Sequence, residues 1–410
     1  MPRLSIVAAI TVVAQPSPAD DWTGWRGSDR NAINHEGKAP LRWSASKGVL
    51  WSTPVPGAGI SSPIVHGDSV FLSACGGHLQ QDLELLCLTA RDGSETWRCR
   101  FWGTAPTRHH ATKSSMASPT PVTDGERVFA FYGTGDLFAV DIGGVLLWHR
   151  SLASEYGPFE NRFVATSSPV LHGDRLILQC DHFADSYLIA VDRETGATRW
   201  KVERPETWLS WSSPRIVPVL GSDRHELIVA ASKALDAFDP LSGEKLWTLR
   251  GMRRECIPTP VFGNGLIYAV SGPSGPTLAV RPGGRGDVTD SHVVWRNTRG
   301  SPYVPSAILV EDLYYLVDDR GIATCLDAKT GERVWQKRLS GSYTASPVSA
   351  ADRVYFTNEN GATTVIRADV REYEELARNE LGQPVYASAA IAGGVFYLRT
   401  STHLWAIGGD

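Results

Sequence analysis

The chain has 410 residues, 42% of them hydrophobic and 20% charged, which supplies a sizeable core and excludes a largely disordered protein. Its formal net charge of −4 argues against a nucleic-acid binder, because such proteins are usually strongly basic. The 39 glycines and 25 prolines exceed the average share of these residues and indicate a fold with many turns.

The first residues have the pattern of an export signal. Arg3 precedes an apolar stretch that ends at Ala14, and Val12 and Ala14 fit the small positions before a cleavage site. The stretch is too short to span a bilayer, which needs about 20 residues. We therefore predict a signal peptide over 1–14, an extended arm over 15–45 and an exported, periplasmic or extracellular protein. The N-terminus of a cytosolic protein is the alternative.

From residue 60 onward the sequence repeats itself. A Ser-Pro-like start, an apolar run, a glycine turn and a second β-rich run recur eight times, as in ISSPIVHGDSVFLSA at 60–74. Most copies are followed by an apolar strand, a polar turn with glycine and a strand with tryptophan, as in LIAVDRETGATRW at 188–200. The tryptophans that end this second theme are Trp97, Trp148, Trp200, Trp247, Trp295 and Trp335.

The two themes predict four strands in each copy. The runs alternate apolar and polar residues, and the turns carry the Asp and Gly that close hairpins. A lone sheet leaves both faces exposed, whereas a closed ring of stacked sheets buries them, which is the β-propeller solution. The last copy stops after the strand at 403–408, and GVLWSTPV at 48–55, with Trp51, matches the missing fourth strand.

We therefore predict an all-β, eight-bladed β-propeller of four-stranded antiparallel blades over 46–410, with the last blade closed by an N-terminal strand. This arrangement would leave no blade edge without its fourth strand. Seven blades with a stray hairpin is the alternative that the sequence leaves open.

Two copies of the second theme carry a family resemblance: Ala-Val-Asp192 with Thr195-Gly196 and Trp200, and LDAKTG at 326–331 with Trp335. They resemble the pyrroloquinoline-quinone-type (PQQ-like) β-propeller repeat, found in quinoprotein dehydrogenases and in the outer-membrane assembly lipoprotein of the β-barrel assembly machinery. The opening DWTGWRGSDRNA at 21–32 is similar to the segment before the propeller in many exported bacterial proteins of this type. The resemblance implies that each blade tryptophan packs against the neighbouring blade.

The resemblance is specific for fold and weak for function, because the same propeller hosts enzymes and scaffolds. The dehydrogenases carry vicinal cysteines over the quinone and a set of Ca²⁺ ligands, and the sequence shows no adjacent cysteine pair. No cofactor is therefore expected, and PQQ with Ca²⁺ remains the alternative.

The predicted topology places the loops between second and third strands and the links between blades on one face, which we call the link face. Long loops on a rigid scaffold are the usual place for function. Cations and aromatic rings there suit an anionic or sugar-like ligand. The candidate binding residues are His109, His110, Lys113, Arg162, Trp208, Trp211, Arg253, Arg254, Glu255, Tyr303, Tyr343 and Tyr386.

Each candidate also has a structural alternative. The tryptophans and tyrosines could fill the channel or pack under the links, and Arg253, Arg254 and Glu255 could form a surface ion-pair cluster. His109 and His110 would need a third ligand to hold zinc and are more typical of a solvated loop.

The six cysteines do not settle the redox chemistry of the protein. Cys87 and Cys99 fall on consecutive strands, so a disulfide is left open, although a core-facing Cys87 is favoured. Cys180, Asp181, His182 and Asp185 could ligate a metal, but the residue types around them favour a structural role, and no metal site is predicted.

The sequence favours a non-catalytic, exported scaffold that binds a protein or glycan of the cell envelope at the link face, without nucleic acid and as a monomer. No catalytic residue is predicted. One alternative is a PQQ-dependent dehydrogenase, with Trp208 or Trp211 under the quinone and the arginines on its carboxylates. Another is a polysaccharide lyase or hydrolase with a His, Arg or Tyr acid–base group.

Overall fold

The computed structural model describes residues 21–35, 39–106, 109–110, 112–161, 163–183, 185–207, 209–273 and 275–408. The predicted signal peptide, Arg162 and Trp208 lie outside these ranges. The regular secondary structure of the described chain is almost entirely β-strand, with one short helix, α1 (Leu152–Tyr156). No helix in these ranges is long and apolar enough to cross a membrane.

Two strands precede the first blade, β1 (Ile33–Asn34) and β2 (Val49–Pro54). Eight antiparallel sheets then follow in chain order. Blade 1 contains β3 (Ile64–His66), β4 (Ser69–Gly76), β5 (Asp82–Thr89) and β6 (Glu95–Trp102). Blade 2 contains β7 (Val122–Thr123), β8 (Arg127–Phe131), β9 (Asp136–Asp141) and β10 (Leu146–Ser151). Blade 3 contains β11 (Val170–His172), β12 (Arg175–Cys180), β13 (Tyr187–Asp192) and β14 (Thr198–Glu203).

The next three blades keep this order, with one added strand. Blade 4 contains β15 (Arg215–Pro218), β16 (His225–Ala231), β17 (Ala234–Phe238) and β18 (Lys245–Arg250). Blade 5 contains β19 (Val261–Gly263), β20 (Leu266–Val270), β21 (Thr277–Val280) and β23 (Val293–Asn297), and its β22 (Gly286–Asp287) pairs in parallel with the edge of blade 4. Blade 6 contains β24 (Ile308–Val310), β25 (Leu313–Val317), β26 (Ile322–Asp327) and β27 (Arg333–Arg338).

The last two blades take strands from the N-terminal part of the chain. Blade 7 contains β28 (Val348–Ala350), β29 (Arg353–Thr357), β30 (Ala362–Arg367) and β31 (Glu375–Glu380), with β1 added beside β28. Blade 8 contains β32 (Ala390–Ala392), β33 (Val395–Arg399) and β34 (His403–Gly408), and β2 is its fourth strand.

The closure of the ring is as the sequence predicts. Strand β2 pairs antiparallel with β34, with Trp51 opposite Ala406 and Ser52 opposite Trp405. The eight-bladed fold with an N-terminal closing strand is therefore confirmed, and the alternative of seven blades with a stray hairpin is wrong.

The blade tryptophans dock into the next blade. The indole N–H of Trp295 donates to the Ala328 carbonyl at 2.8 Å, and its ring lies against Gly331, whose φ is +73°. A Cβ atom added to Gly331 would come within 2.6 Å of the indole Cδ2, so this turn needs glycine both for its backbone and for the ring. The same bond, at 2.8–3.2 Å, is made to a turn carbonyl by Trp51, Trp97, Trp148 and Trp200.

Two blade tryptophans depart from this pattern. Trp247 donates instead to the Glu226 carboxylate at 3.0 Å, which also accepts the Gly283 N–H at 3.1 Å. The turn that would receive Trp247 is replaced by the longer segment that contains β22. The Trp335 indole packs edge-on against Tyr373 at 5.4 Å, and its N–H is buried without a partner in the described chain.

A hydroxyl-bearing residue stands at the same place in the link before each first strand. In seven steps around the ring, the backbone N–H of one donates to the hydroxyl of the next at 2.8–3.4 Å. These bonds join each blade to its neighbour around the central channel, so the Ser-Pro-like repeat has a structural role. The eight residues are Ser62, Thr120, Ser168, Ser213, Thr259, Ser306, Ser346 and Ser388.

All six cysteines are free thiols, so the disulfide left open by the sequence is not formed. Cys87 lies opposite Trp97 and Cys99 opposite Leu85 in neighbouring strands. Cys87 is buried in the apolar core between blades 1 and 2, where the sequence favours it.

Candidate functional site at the link face

The N-terminal segment 21–35 closes one end of the central channel. It crosses the face that carries the turns between first and second strands, which we call the turn face. The backbone N–H of Trp22 donates to the Val65 carbonyl at 2.9 Å, and β1 pairs with β28. The Trp25 indole reaches the channel and donates to the Thr259 hydroxyl at 2.9 Å. The channel is thus closed by a side chain that lies outside the repeats.

The other end of the channel opens at the link face through a cavity of about 350 Å³, which we call the mouth. A narrower void of about 110 Å³ continues inward from Lys113 to Trp25, past the ring of hydroxyl groups. The mouth is lined by His110, Lys113, Ser114, Phe163, Thr166, Trp211, Ile257, Tyr303, Val304 and Asp319.

Lys113 and Glu359 form an ion pair at this opening. The Lys113 Nζ lies 2.7 Å from Glu359 Oε1, which also accepts the Thr344 hydroxyl at 2.7 Å. Lys113 comes from the link before blade 2 and Glu359 from the loop between β29 and β30, so the pair joins separate parts of the rim. The charge of Lys113 is therefore already matched by a carboxylate.

Asp319 brings a second carboxylate to the mouth. Burial raises its pKa, although the Tyr303 N–H, which donates to Asp319 Oδ2 at 2.8 Å, and the charge of Lys113 act in the opposite direction. The Tyr303 hydroxyl points away to Glu255 and donates to its Oε2 at 2.5 Å. Tyr303 thus holds both carboxylates through separate groups.

His110 and Trp211 belong to the wall of the mouth. His110 Nδ1 accepts the backbone N–H of Lys113 at 3.1 Å, and its ring meets Phe163 edge-on at 5.7 Å. Trp211 is only 6% exposed, and its indole N–H donates to the Val164 carbonyl at 3.0 Å. The Trp211 ring is therefore held mainly as part of the structure.

The remaining candidates do not all converge on the mouth. Tyr386 is half-buried and lines the inner void. Arg253 and Arg254, with Glu255, line a separate cavity of about 280 Å³. Tyr343 is fully buried, and the half-buried His109 lines neither the mouth nor the void.

Two of the possible metal ligands at 180–185 are engaged by other protein groups. Asp181 forms a buried ion pair with Arg204, and the His182 ring stacks on Phe159 at 5.1 Å. Across the ranges that the structure describes, no three His, Cys, Asp or Glu side chains are grouped to hold a metal.

Sequence reasoning missed several residues of this region. Phe163, Asp319 and Glu359 lie at or beside the mouth, and Trp25 closes the far end. The two carboxylates lie in loops that the sequence places on the link face, but nothing in their sequence shows which side chain turns inward. The recurring Ser or Thr of each repeat was a visible signal for the ring of hydroxyls.

Solved structures share the fold at low sequence identity. BamB from Moraxella catarrhalis is 15% identical with a TM-score of 0.62, covering 86% of this chain and 97% of that chain. The quinohemoprotein alcohol dehydrogenase ADHIIG from Pseudomonas putida HK5 is 13% identical with a TM-score of 0.69, covering 96% and 81%. The corresponding enzyme from Comamonas testosteroni is 12% identical with a TM-score of 0.68, covering 95% and 81%.

These likenesses show the fold alone, and a search of curated proteins finds no match to the sequence. The resemblance to the PQQ-like propeller repeat is nevertheless confirmed. The family model for outer membrane protein assembly factor BamB matches residues 37–177 and 184–408, so it spans most of the propeller. The chain therefore belongs to the BamB family of β-propeller proteins.

Proposed function

We propose that this BamB-family member is a non-catalytic propeller of the bacterial cell envelope that binds a partner protein at its link face. The observation that supports this most is the one-ended channel, which opens through the mouth and is closed by Trp25 at the turn face. A partner segment would enter where long loops of several blades meet, which is the usual place for a binding site on a rigid scaffold.

The chemistry of the mouth suits a basic side chain with an apolar stem. Phe163, Ile257 and Val304 supply apolar wall, and Asp319 lies beside them. Because burial raises the pKa of Asp319, its ionised form is costly, and a cation placed next to it would offset that cost. Lys113 does not fill this role alone, since it is paired with Glu359. A lysine or arginine of a partner would bury its stem and keep its charge at the carboxylate.

A glycan, the other partner class that the sequence suggests, has less support. Sugars are commonly bound by stacking on accessible aromatic faces, and Trp211 is almost fully covered by the links around it. The positive charges expected to attract an anionic ligand are also dispersed, because Arg253 and Arg254 line a different cavity from Lys113.

The quinone-dependent alternative is not supported by the donor groups at the mouth. Ca²⁺ takes six to eight oxygen ligands held close together. Here Glu359 is engaged by Lys113 and Thr344, while Asp319 and Glu255 accept hydrogen bonds from opposite ends of Tyr303. These carboxylates do not form a shared oxygen cluster, so the residues present do not fit the quinone–calcium pair, and we derive no redox step.

A photo-crosslinking amino acid placed at Val304 in the mouth tests the proposal in intact cells. We expect a discrete crosslinked product with a protein, identified by mass spectrometry. The control carries the same group at Arg224, which is exposed in the β15–β16 turn of the turn face. Equal crosslinking at both positions, or crosslinking to glycan alone, would overturn the proposal.

The identified partner then allows a quantitative test. Asp319→Asn keeps an oxygen acceptor for the Tyr303 N–H but removes the charge, so we expect at least a tenfold weaker affinity, equivalent to about 1.4 kcal/mol. Asp312→Asn is the matched control, since Asp312 is a half-buried turn-face carboxylate paired with Lys329 at 2.5 Å. If both variants bind like the wild type, a basic contact at Asp319 is refuted. Cell fractionation with and without residues 1–14 tests the export that the proposal requires.

A further inference from the structure

Two arginine side chains bind one asparagine at the turn-face end of the channel, and the charge of a third arginine lies near them. Arg26 donates through Nη2 to the Asn31 carbonyl at 3.3 Å and to the Ala307 carbonyl at 2.5 Å. Arg215, from β15, donates through its Nη2 to Asn31 Oδ1 at 3.0 Å. Arg30 precedes Asn31 in the chain. The segment 21–35 thus brings two cations against a third from the propeller.

These guanidinium groups have more donors than the protein satisfies. Nε and Nη1 of both Arg26 and Arg215, and Nη1 of Arg30, are buried without an acceptor among the described residues. Arg26 is 2% exposed and Arg215 is 4% exposed. A buried charged donor without an acceptor is among the most costly groups in a folded protein, so these five nitrogens call for a ligand.

The local charge is also unbalanced. Burial lowers the pKa of Arg26 and Arg30 to about 10 and that of Arg215 to about 9, so all three remain protonated at neutral pH. The carboxylate that interacts with them is Asp29, whose side chain is one-third exposed and whose Oδ2 lies 3.1 Å from His35. One carboxylate faces three cations.

The space beside Arg30, the one of the three arginines that lines a void here, limits what the ligand can be. A void of about 10 Å³ lies between Arg30 and Trp25, with walls that include Pro169, Pro214 and Thr259. A single water needs about 10–15 Å³ of this kind of volume, so the void is no larger than one water-sized group and excludes sulfate or phosphate.

The backbone of the segment supports a bound ligand as well. Arg26, Arg30 and Ala32 have φ values of +64°, +63° and +64°, in the left-handed region that non-glycine residues rarely adopt. A segment with three such residues within seven positions needs strong contacts to hold it in place. An anion that bridges its arginines to Arg215 would provide them.

We propose that a monatomic anion, chloride in the cell, binds among Arg26, Arg30 and Arg215 and fastens the N-terminal segment to the propeller. The site is distinct from the mouth and independent of the function proposed for it, because Trp25 lies between the two. Its role is structural: it holds in place the segment that closes the channel.

Unfolding of the full chain in urea, in sodium chloride against sodium gluconate at constant ionic strength, tests this proposal. Above the dissociation constant, a tenfold increase in chloride should raise the ratio of folded to unfolded protein about tenfold. Bromide should replace chloride, and sulfate should not. The Arg215→Gln variant should lose this dependence, whereas Arg224→Gln, the same charge change at an exposed position of blade 4, should keep it. A wild type insensitive to halide would overturn the proposal.

A crystal of the wild type grown in bromide gives a second test, which stands even if Arg215→Gln fails to fold. Anomalous scattering should place one bromide within hydrogen-bond distance of the three guanidinium groups. Ordered water at that position, or bromide found only at exposed arginines, would overturn the assignment.

Discussion

The docking of Trp295 on Gly331 predicts a large effect from adding one methyl group. In Gly331→Ala the new Cβ would stand 2.6 Å from the indole, about 0.8 Å inside ordinary contact, so the ring must shift. Overpacking of this kind costs about 1–3 kcal/mol, and weakening the Trp295–Ala328 hydrogen bond adds about 1 kcal/mol. Holding alanine at a φ of +73° costs about 1 kcal/mol more. We expect a total loss of roughly 3–5 kcal/mol.

Gly173→Ala is the matched control, because Gly173 has a φ of +58° in a hairpin turn and no atom lies within 4 Å of the position that a Cβ would take. It bears the backbone cost without the clash, so its destabilisation should be about 1 kcal/mol. Urea unfolding followed by far-UV circular dichroism and by tryptophan fluorescence measures both variants, and coincident curves justify a single free energy. Equal destabilisation of the two variants would refute the reasoning that the indole requires this glycine.

Three further predictions concern buried polar groups. In urea unfolding, Trp247→Phe should lower the free energy of unfolding by about 1 kcal/mol more than Trp200→Phe. The reason is that the Trp247 N–H donates to a buried carboxylate, whereas the Trp200 N–H donates to a carbonyl. Equal losses would contradict this. Ser388→Ala removes the acceptor of a backbone N–H and should cost about 1–3 kcal/mol in the same assay, whereas Ser62→Ala, whose hydroxyl has no partner among the described residues, should cost less. Burial lowers the pKa of His182, so the unfolded chain takes up its proton first and stability falls as the pH drops below about 6.5. His182→Gln should reduce the slope of the free energy of unfolding against pH by up to about 1.4 kcal/mol per pH unit. An unchanged slope between about pH 6.5 and 5 would contradict the prediction.

The fold was predictable because its signals are local and repeated. Alternating strands, turns such as that of Asp192 with Gly196, and the tryptophan that follows occur in copy after copy. Even the closing strand at Trp51 was visible, since it carries the pattern that the last copy lacks. The exception at Trp247 was not predictable, because it depends on how one longer turn displaces the usual acceptor.

The site was predictable only in part, because its residues lie on links that do not repeat. Lys113 and Tyr303 were placed on the correct face, and the structure brings both to the mouth. Tyr343 occupies a similar position in sequence but turns into the protein, since the backbone of each link decides the direction of its side chain. The arginines of 21–35 gave no signal, because the propeller groups near them are distant in sequence, as Ala307 is from Arg26.

The way the ring closes also determines when it can close. Strand β2 is made early, yet its partner β34 begins only at His403, so it stays unpaired until nearly the whole chain is present. Pairing two strands this far apart in sequence is slow, because the entropy of the long intervening chain is lost before the stabilising contacts form. A chain that stops short of β34 would expose both β2 and the edge of the unfinished blade, two ready templates for pairing with other chains. These edges stay unpaired until synthesis, and any transport across a membrane, is complete. What happens in that interval would therefore decide between folding and aggregation for this protein.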